Sequence, residues 1–107
     1  MCYNRTIMSQ EEIITKVKEA VMSDPNKDYI QSIYLFGSFL HGNNNDESDI
    51  DLLFEMKKTM SLFKIFATQE RFEQKLGRKV ELIEKESLDK YIKSDVLAEA
   101  KKIYENR

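Results

Sequence analysis

Two aspartates one residue apart, Asp49 and Asp51, stand ten residues after a Gly-Ser pair, Gly37-Ser38. A glycine-serine turn exposes backbone N–H groups and a hydroxyl, which suits phosphate oxygens where a helical turn begins. Two carboxylates on one strand face can hold a hard divalent cation, and Mg²⁺ commonly takes one or two carboxylates together with substrate phosphates and water. A pair of such ions can clamp the attacking and leaving oxygens of an in-line displacement at phosphorus. Glu81 is the third acidic candidate, because it sits between Val80 and Leu82 in an apolar segment where an unpaired carboxylate would be costly to bury. The chemistry these residues point to is metal-assisted transfer at a phosphate.

Such side chains need a frame. The run Asp49-Ile50-Asp51-Leu52 alternates acid and apolar residue, which predicts a strand over Asp49–Glu55 with both carboxylates on one face. Upstream, Tyr29–Phe36 is an apolar and aromatic run that predicts a strand ending at Gly37-Ser38, and the polar stretch Gly42–Ser48 predicts a loop. Ser9 with Glu12 makes a capping box for a helix over Ser9–Met22, whose stripe is Ile13, Ile14, Val17 and Val21 and whose end is Asp24-Pro25-Asn26. A second helix is expected over Ser61–Leu76, closed by Gly77, and a third strand over Lys79–Ile83. Ser87 offers an N-cap for the segment through Ile92, and Val96, Leu97, Ala100, Ile103 and Tyr104 lie on one stripe of a terminal helix over Asp95–Tyr104. The expected fold class is α/β (α+β): a small mixed sheet of three to four strands with helices packed on it, in a single domain over residues 1–107.

Composition narrows the function further. At 107 residues the chain can build one compact core, and 41% hydrophobic with 34% charged residues describes a globular protein with a charged exterior. A formal charge of −2 does not supply the basic field that stable binding to a nucleic-acid backbone requires. Cys2 stands alone, no Cys/His set has zinc spacing, and no apolar run approaches the ~20 residues of a membrane span. A cytoplasmic protein is expected. Neither GxxxxGK[ST] nor GxGxxG is present, Ser38 is not in a G-x-S-x-G elbow, and a single histidine, His41, makes a hydrolase triad hard to assemble. An EF-hand loop is excluded by the strand-like alternation of Ile50 and Leu52 between the acids.

The stretch from Gly37-Ser38 to Asp49-Ile50-Asp51 resembles the signature of the DNA polymerase β-like nucleotidyltransferases, and the short chain is similar to their minimal nucleotidyltransferase (MNT) group. Members of that group are antitoxin halves of toxin–antitoxin modules whose toxin is a helical HEPN-domain ribonuclease. The resemblance implies the nucleotidyltransferase fold and transfer of AMP from ATP to a tyrosine hydroxyl of the HEPN toxin. It also implies that Gly37 and Ser38 bind the triphosphate, that Asp49, Asp51 and Glu81 are catalytic and hold Mg²⁺ as a pair of ions, and that Glu81 helps deprotonate the acceptor. A hetero-oligomer with the toxin follows, the partner completing the acceptor side. Two positions depart from many relatives: Glu81 stands where they carry Asp, and His41 where they carry Arg. The same residues admit two other readings, a non-catalytic module that grips the toxin or a nucleotide, and the catalytic subunit of a small-molecule nucleotidyltransferase whose remaining helices come from another chain.

Overall fold

The computed structural model describes residues 9–37 and 49–106. In chain order the elements are α1 (Gln10–Met22), β1 (Ile30–Phe36), β2 (Ile50–Met56), α2 (Leu62–Leu76), β3 (Val80–Glu84), α3 (Lys90–Glu99) and β4 (Lys101–Glu105), with short 3₁₀ turns at Lys27–Tyr29 and Lys85–Ser87. Helix α1 starts where the capping box predicts: Ser9 Oγ accepts from the Glu12 N–H at 3.1 Å, and Glu12 Oε1 accepts from the Ser9 N–H at 3.0 Å. Helix α2 is capped by Ser61 Oγ, which accepts from the Lys64 N–H at 3.2 Å. It closes on Gly77, whose φ of 70° is the left-handed turn that glycine adopts without strain.

The four strands form one mixed sheet in the order β3-β2-β1-β4. Strand β1 runs antiparallel to both β2 and β4, and β2 runs parallel to β3, which α2 makes possible by crossing between them. The core forms between one face of this sheet and the pair α1 and α2. It joins Ile13, Val17 and Val21 of α1 and Phe72 of α2 to Ile33 and Leu35 of β1, Ile50, Leu52 and Phe54 of β2, Val80 of β3 and Ile103 of β4. The two helices are also tied at their polar edge, where Arg71 Nε meets Asp24 Oδ1 at 2.6 Å and Asn26 Nδ2 donates to Thr68 Oγ1 at 2.9 Å. Asp24 is buried, so Arg71 supplies the counter-charge its carboxylate needs there. No helix among the described residues is long and apolar enough to cross a membrane.

The C-terminal segment departs from the sequence expectation. The expected terminal helix over Asp95–Tyr104 stops at Glu99, and Lys101–Glu105 is a fourth strand laid against β1, with Ile33 opposite Tyr104 and Ser32 opposite Glu105. The physical reason is competition for the edge of β1. A bare β1 would leave a row of backbone N–H and C=O groups unpaired, and Ile103 and Tyr104 are side chains that strands favour. Ser87 is likewise not the cap of a helix through Ile92: it lies in the 3₁₀ turn with its Oγ donating to Glu84 O at 2.7 Å, and α3 begins at Lys90. At Lys101–Glu105 local periodicity lost to tertiary pairing, and at Ser87 to a local bond with Glu84 O.

Candidate active site

Pairing register builds a row of functional groups across the sheet. Phe36, the last residue of β1, is opposite Asp51 on β2, and Asp51 is opposite Glu81 on β3. Gly37 follows Phe36 directly, so glycine backbone and two carboxylates meet at one end of three adjacent strands. Asp49 precedes β2 by one residue and shares the face of Asp51 by alternation. The entry of β2 is fixed by the Ile50 N–H, which donates to Lys79 O at 2.9 Å. On the opposite face Ile50, Leu52 and Phe54 are fully buried. A slip of one residue would drive the carboxylates into that core, so the apolar positions set the orientation of the acidic ones.

Gly37 is required twice over. Its φ is 84°, where a side chain is strained, and a Cβ built on it would run into Asp51 Oδ2, with Asp51 Cγ only 3.1 Å away. The sequence suggested a turn open to phosphate; the structure adds that glycine leaves room for the Asp51 carboxylate. Leu53, two residues along from Asp51 on the same face, is fully buried.

The three acids are coupled by mutual repulsion. Burial first, then Glu81, then Asp49 push the Asp51 carboxyl above its ordinary value. Uncompensated like charges of this kind call for a cation. Among the described residues, however, no group of three or more His, Cys, Asp or Glu side chains is already disposed around one point to hold a metal ion. Electrostatic coupling reaches further than coordination, and Glu81 is exposed on the edge strand. The pair Asp49 and Asp51 could supply two oxygen ligands to a hard divalent cation such as Mg²⁺ that takes its remaining ligands from elsewhere, rather than form a closed protein cage. Ser38 and His41 lie outside the described residues.

One neighbour escaped the sequence reading. Lys79 is exposed, precedes Glu81 by two residues, and stands level with Asp49 because Ile50 pairs with Val80. Its signal was available in the alternation Lys79-x-Glu81, which mirrors Asp49-x-Asp51.

Comparison with known proteins gives this arrangement a lineage. Residues 7–107 match the family described as polymerase beta, nucleotidyltransferase. The protein adenylyltransferase MntA of Thermococcus cleftensis is 36% identical over 70 residues, which span 65% of this chain and 71% of that protein. Among solved structures, a toxin–antitoxin complex with AMP-PNP superposes with a TM-score of 0.74 at 22% identity, covering 88% of this chain and 74% of the other. A tri-AMPylated HEPN toxin of Shewanella oneidensis in complex with its MNT antitoxin gives a TM-score of 0.67 at 20% identity, covering 91% of this chain and 73% of the other. At those identities the two structures speak for the fold. Family match, relative and acidic row agree: the chain belongs to the polymerase beta nucleotidyltransferase family, and within it to the minimal nucleotidyltransferases that include MntA.

Proposed function

We propose that this chain transfers AMP from ATP to a hydroxyl of a partner HEPN toxin, a tyrosine, and so acts as the antitoxin of a two-component module. The observation that carries the reading is the row in which Gly37, Asp51 and Glu81 meet across three strands, with Asp49 beside it. Support comes from the adenylyltransferase relative and from the AMP-PNP and tri-AMPylated complexes that share the fold.

In the proposed mechanism Gly37 and Ser38 would receive the triphosphate, and Asp49 and Asp51, with Glu81 on the edge strand, would hold Mg²⁺. When bound, Mg²⁺ supplies neutralisation of phosphate charge and alignment of the oxygens for in-line displacement. The acceptor oxygen forms a bond to the α-phosphorus, the bond from that phosphorus to the bridging oxygen breaks, and pyrophosphate leaves. The acceptor proton passes to Glu81, whose exposure on β3 makes its carboxylate reachable by a partner's side chain. Lys79 adds positive charge level with Asp49. Catalysis on this scheme is positioning and charge neutralisation. A reaction that consumes ATP is consistent with a cytoplasmic setting.

The test is intact mass spectrometry of a co-expressed HEPN partner incubated with this protein, ATP and Mg²⁺. AMP units added to the partner, and lost with Asp49→Asn/Asp51→Asn, are expected. The exposure of Glu81 on the edge strand favours a second reading, a module that binds the toxin without turnover. An unmodified partner in a stable complex would select it and reject transfer.

A further inference from the structure

Helix α2 buries one stripe and opens another. Thr68, Phe72 and Leu76 are buried, whereas Leu62, Phe63 and Phe66 at its start are 67%, 88% and 59% exposed. Large apolar side chains scattered singly over a surface are ordinary, but three gathered on one helix mark a contact surface. At helical spacing Leu62 and Phe66 continue into Gln69 and Glu73. Those two reach the edge strand β3: Gln69 Oε1 accepts from the Leu82 N–H at 3.0 Å and Glu73 Oε2 from the Val80 N–H at 3.1 Å. The apolar patch therefore begins the flank of α2 that runs beside β3, and Glu81, exposed between Val80 and Leu82, opens at the other end of that flank. From Leu62 to Glu73 the helix rises about 16 Å.

We propose that Leu62, Phe63 and Phe66 are the docking point for an amphipathic helix of the protein that accepts AMP, apolar along one stripe and acidic on the side toward Lys58 and Lys64; this rests on the acceptor protein of the proposed function. Charge selects the occupant. Residues 57–69 include Lys57, Lys58 and Lys64 and no acidic residue. Lys58 and Lys64 bring their Nζ atoms over the Tyr29 ring, 5.7 and 4.8 Å from its centre, and the positive end of the α2 dipole, with no acid in its first turn, adds to their field. Acidic side chains return on the β3 side, at Glu84 and Glu86.

Area selects against a second copy. The three side chains expose roughly 400 Å². Patch against patch would bury about 800 Å² in total, short of the roughly 1,200–2,000 Å² of a specific interface, and would set lysine near lysine. A partner helix seated on the patch and continued along the flank adds the missing area. About eleven residues of helix cover the 16 Å and bring the acceptor protein to the acidic row. Docking and transfer thus occupy opposite ends of one flank.

Isothermal titration of the purified HEPN partner, with mass spectrometry of the transferred AMP, tests the docking point. Phe63→Ser/Phe66→Ser should weaken binding at least about thirtyfold, and Lys58→Glu/Lys64→Glu about tenfold, with circular dichroism unchanged. Transfer by the serine variant should show a raised KM for the partner and a kcat within a few-fold of wild type, whereas Asp49→Asn/Asp51→Asn should bind normally and transfer nothing. Binding that depends on Phe63 and Phe66 without any AMP added keeps the docking point and removes the transfer reading. A partner that binds the serine variant as tightly as the wild type, or that does not bind the wild type, overturns the docking point even where transfer stands. Self-association in sedimentation, or binding to phosphatidylcholine–phosphatidylglycerol vesicles, that disappears in the serine variant while partner affinity holds overturns it in favour of a second copy or a lipid surface.

Discussion

Strand β2 has two faces with opposite requirements. Toward α1 and α2 it presents Ile50, Leu52 and Phe54, all fully buried in the core. On the other face, ahead of the buried Leu53, it presents Asp51, with Asp49 at its entry, both partly open to solvent. One face gains free energy by excluding water, and the other concentrates like charge that a bound cation and phosphates would neutralise. Because side chains alternate strictly along a strand, the buried face holds the acidic one in register. Fold and site are thus separable by substitutions that keep the backbone, and inseparable by changes that shift it.

The sharpest way to break that separation is to change one residue on each face. Asp51→Asn should lower AMP transfer about 10³-fold or more, roughly 4 kcal/mol of transition-state stabilisation, while the denaturant midpoint stays close to the wild-type value. Phe54→Ala should do the converse in equilibrium unfolding, costing about 3–5 kcal/mol through lost burial and a residual cavity. Transfer measured on its remaining folded fraction should stay within a few-fold of wild type. If Asp51→Asn unfolds the chain, or if Phe54→Ala loses transfer while still folded, the two faces are not independent.

A smaller effect comes from the two glycines held at positive φ. Gly37→Ala combines strain at φ 84° with a collision against the Asp51 carboxylate, whereas a Cβ at Gly77, φ 70°, would meet nothing within 4 Å. Both substitutions should cost stability, about 1–2 kcal/mol for the strained backbone. Only Gly37→Ala should also lower transfer, about 10²-fold, because Asp51 must move aside. Steady-state kinetics and thermal unfolding of the pair separate the two contributions, and equal kinetics in both variants would show that Gly37 acts only as a turn.

These contrasts also explain what the sequence could and could not reveal. The elements from Ser9 to Phe36 and from Ile50 to Glu84 were legible because each carries its own signal: the Ser9–Glu12 capping box, the acid–apolar alternation about Ile50 and Leu52, and Gly77 at the end of α2. The aspartate pair was visible for the same reason, since its spacing is local. The row that joins Gly37, Asp51 and Glu81 was not legible in spacing, and only the family resemblance grouped them, because the row arises from pairing between strands far apart in the chain. Strand β4 was misread as helix because Val96, Leu97, Ala100, Ile103 and Tyr104 recur at helical spacing, while the fact that decides it is the vacant edge of β1. Lys79 was passed over although the alternation Lys79-x-Glu81 was there to read, because only the register shows that it stands level with Asp49.

The smallest expected effect sharpens the comparison by asking what the acidic face costs the fold. Burial, Glu81 and Asp49 raise the Asp51 carboxyl above its ordinary value, so the native state binds that proton more tightly than the unfolded chain does. For a carboxyl shifted in this direction, the group's contribution to stability falls as pH rises from the unfolded value through the folded one, and the penalty is complete above it. Below both values the two states are equally protonated and the penalty is absent. In metal-free protein, Asp51→Asn should therefore raise Tm slightly at neutral pH, and the gain should shrink as pH falls through the carboxylate range. Saturating Mg²⁺ should reverse the order, stabilising the wild type over the variant, because only the wild type has the full ligand pair. Thermal unfolding at three pH values, with EDTA and with Mg²⁺, reads both signs. A variant that is less stable than wild type in EDTA at neutral pH would mean that the Asp51 carboxylate supports the fold through contacts that outweigh its repulsion from Glu81 and Asp49.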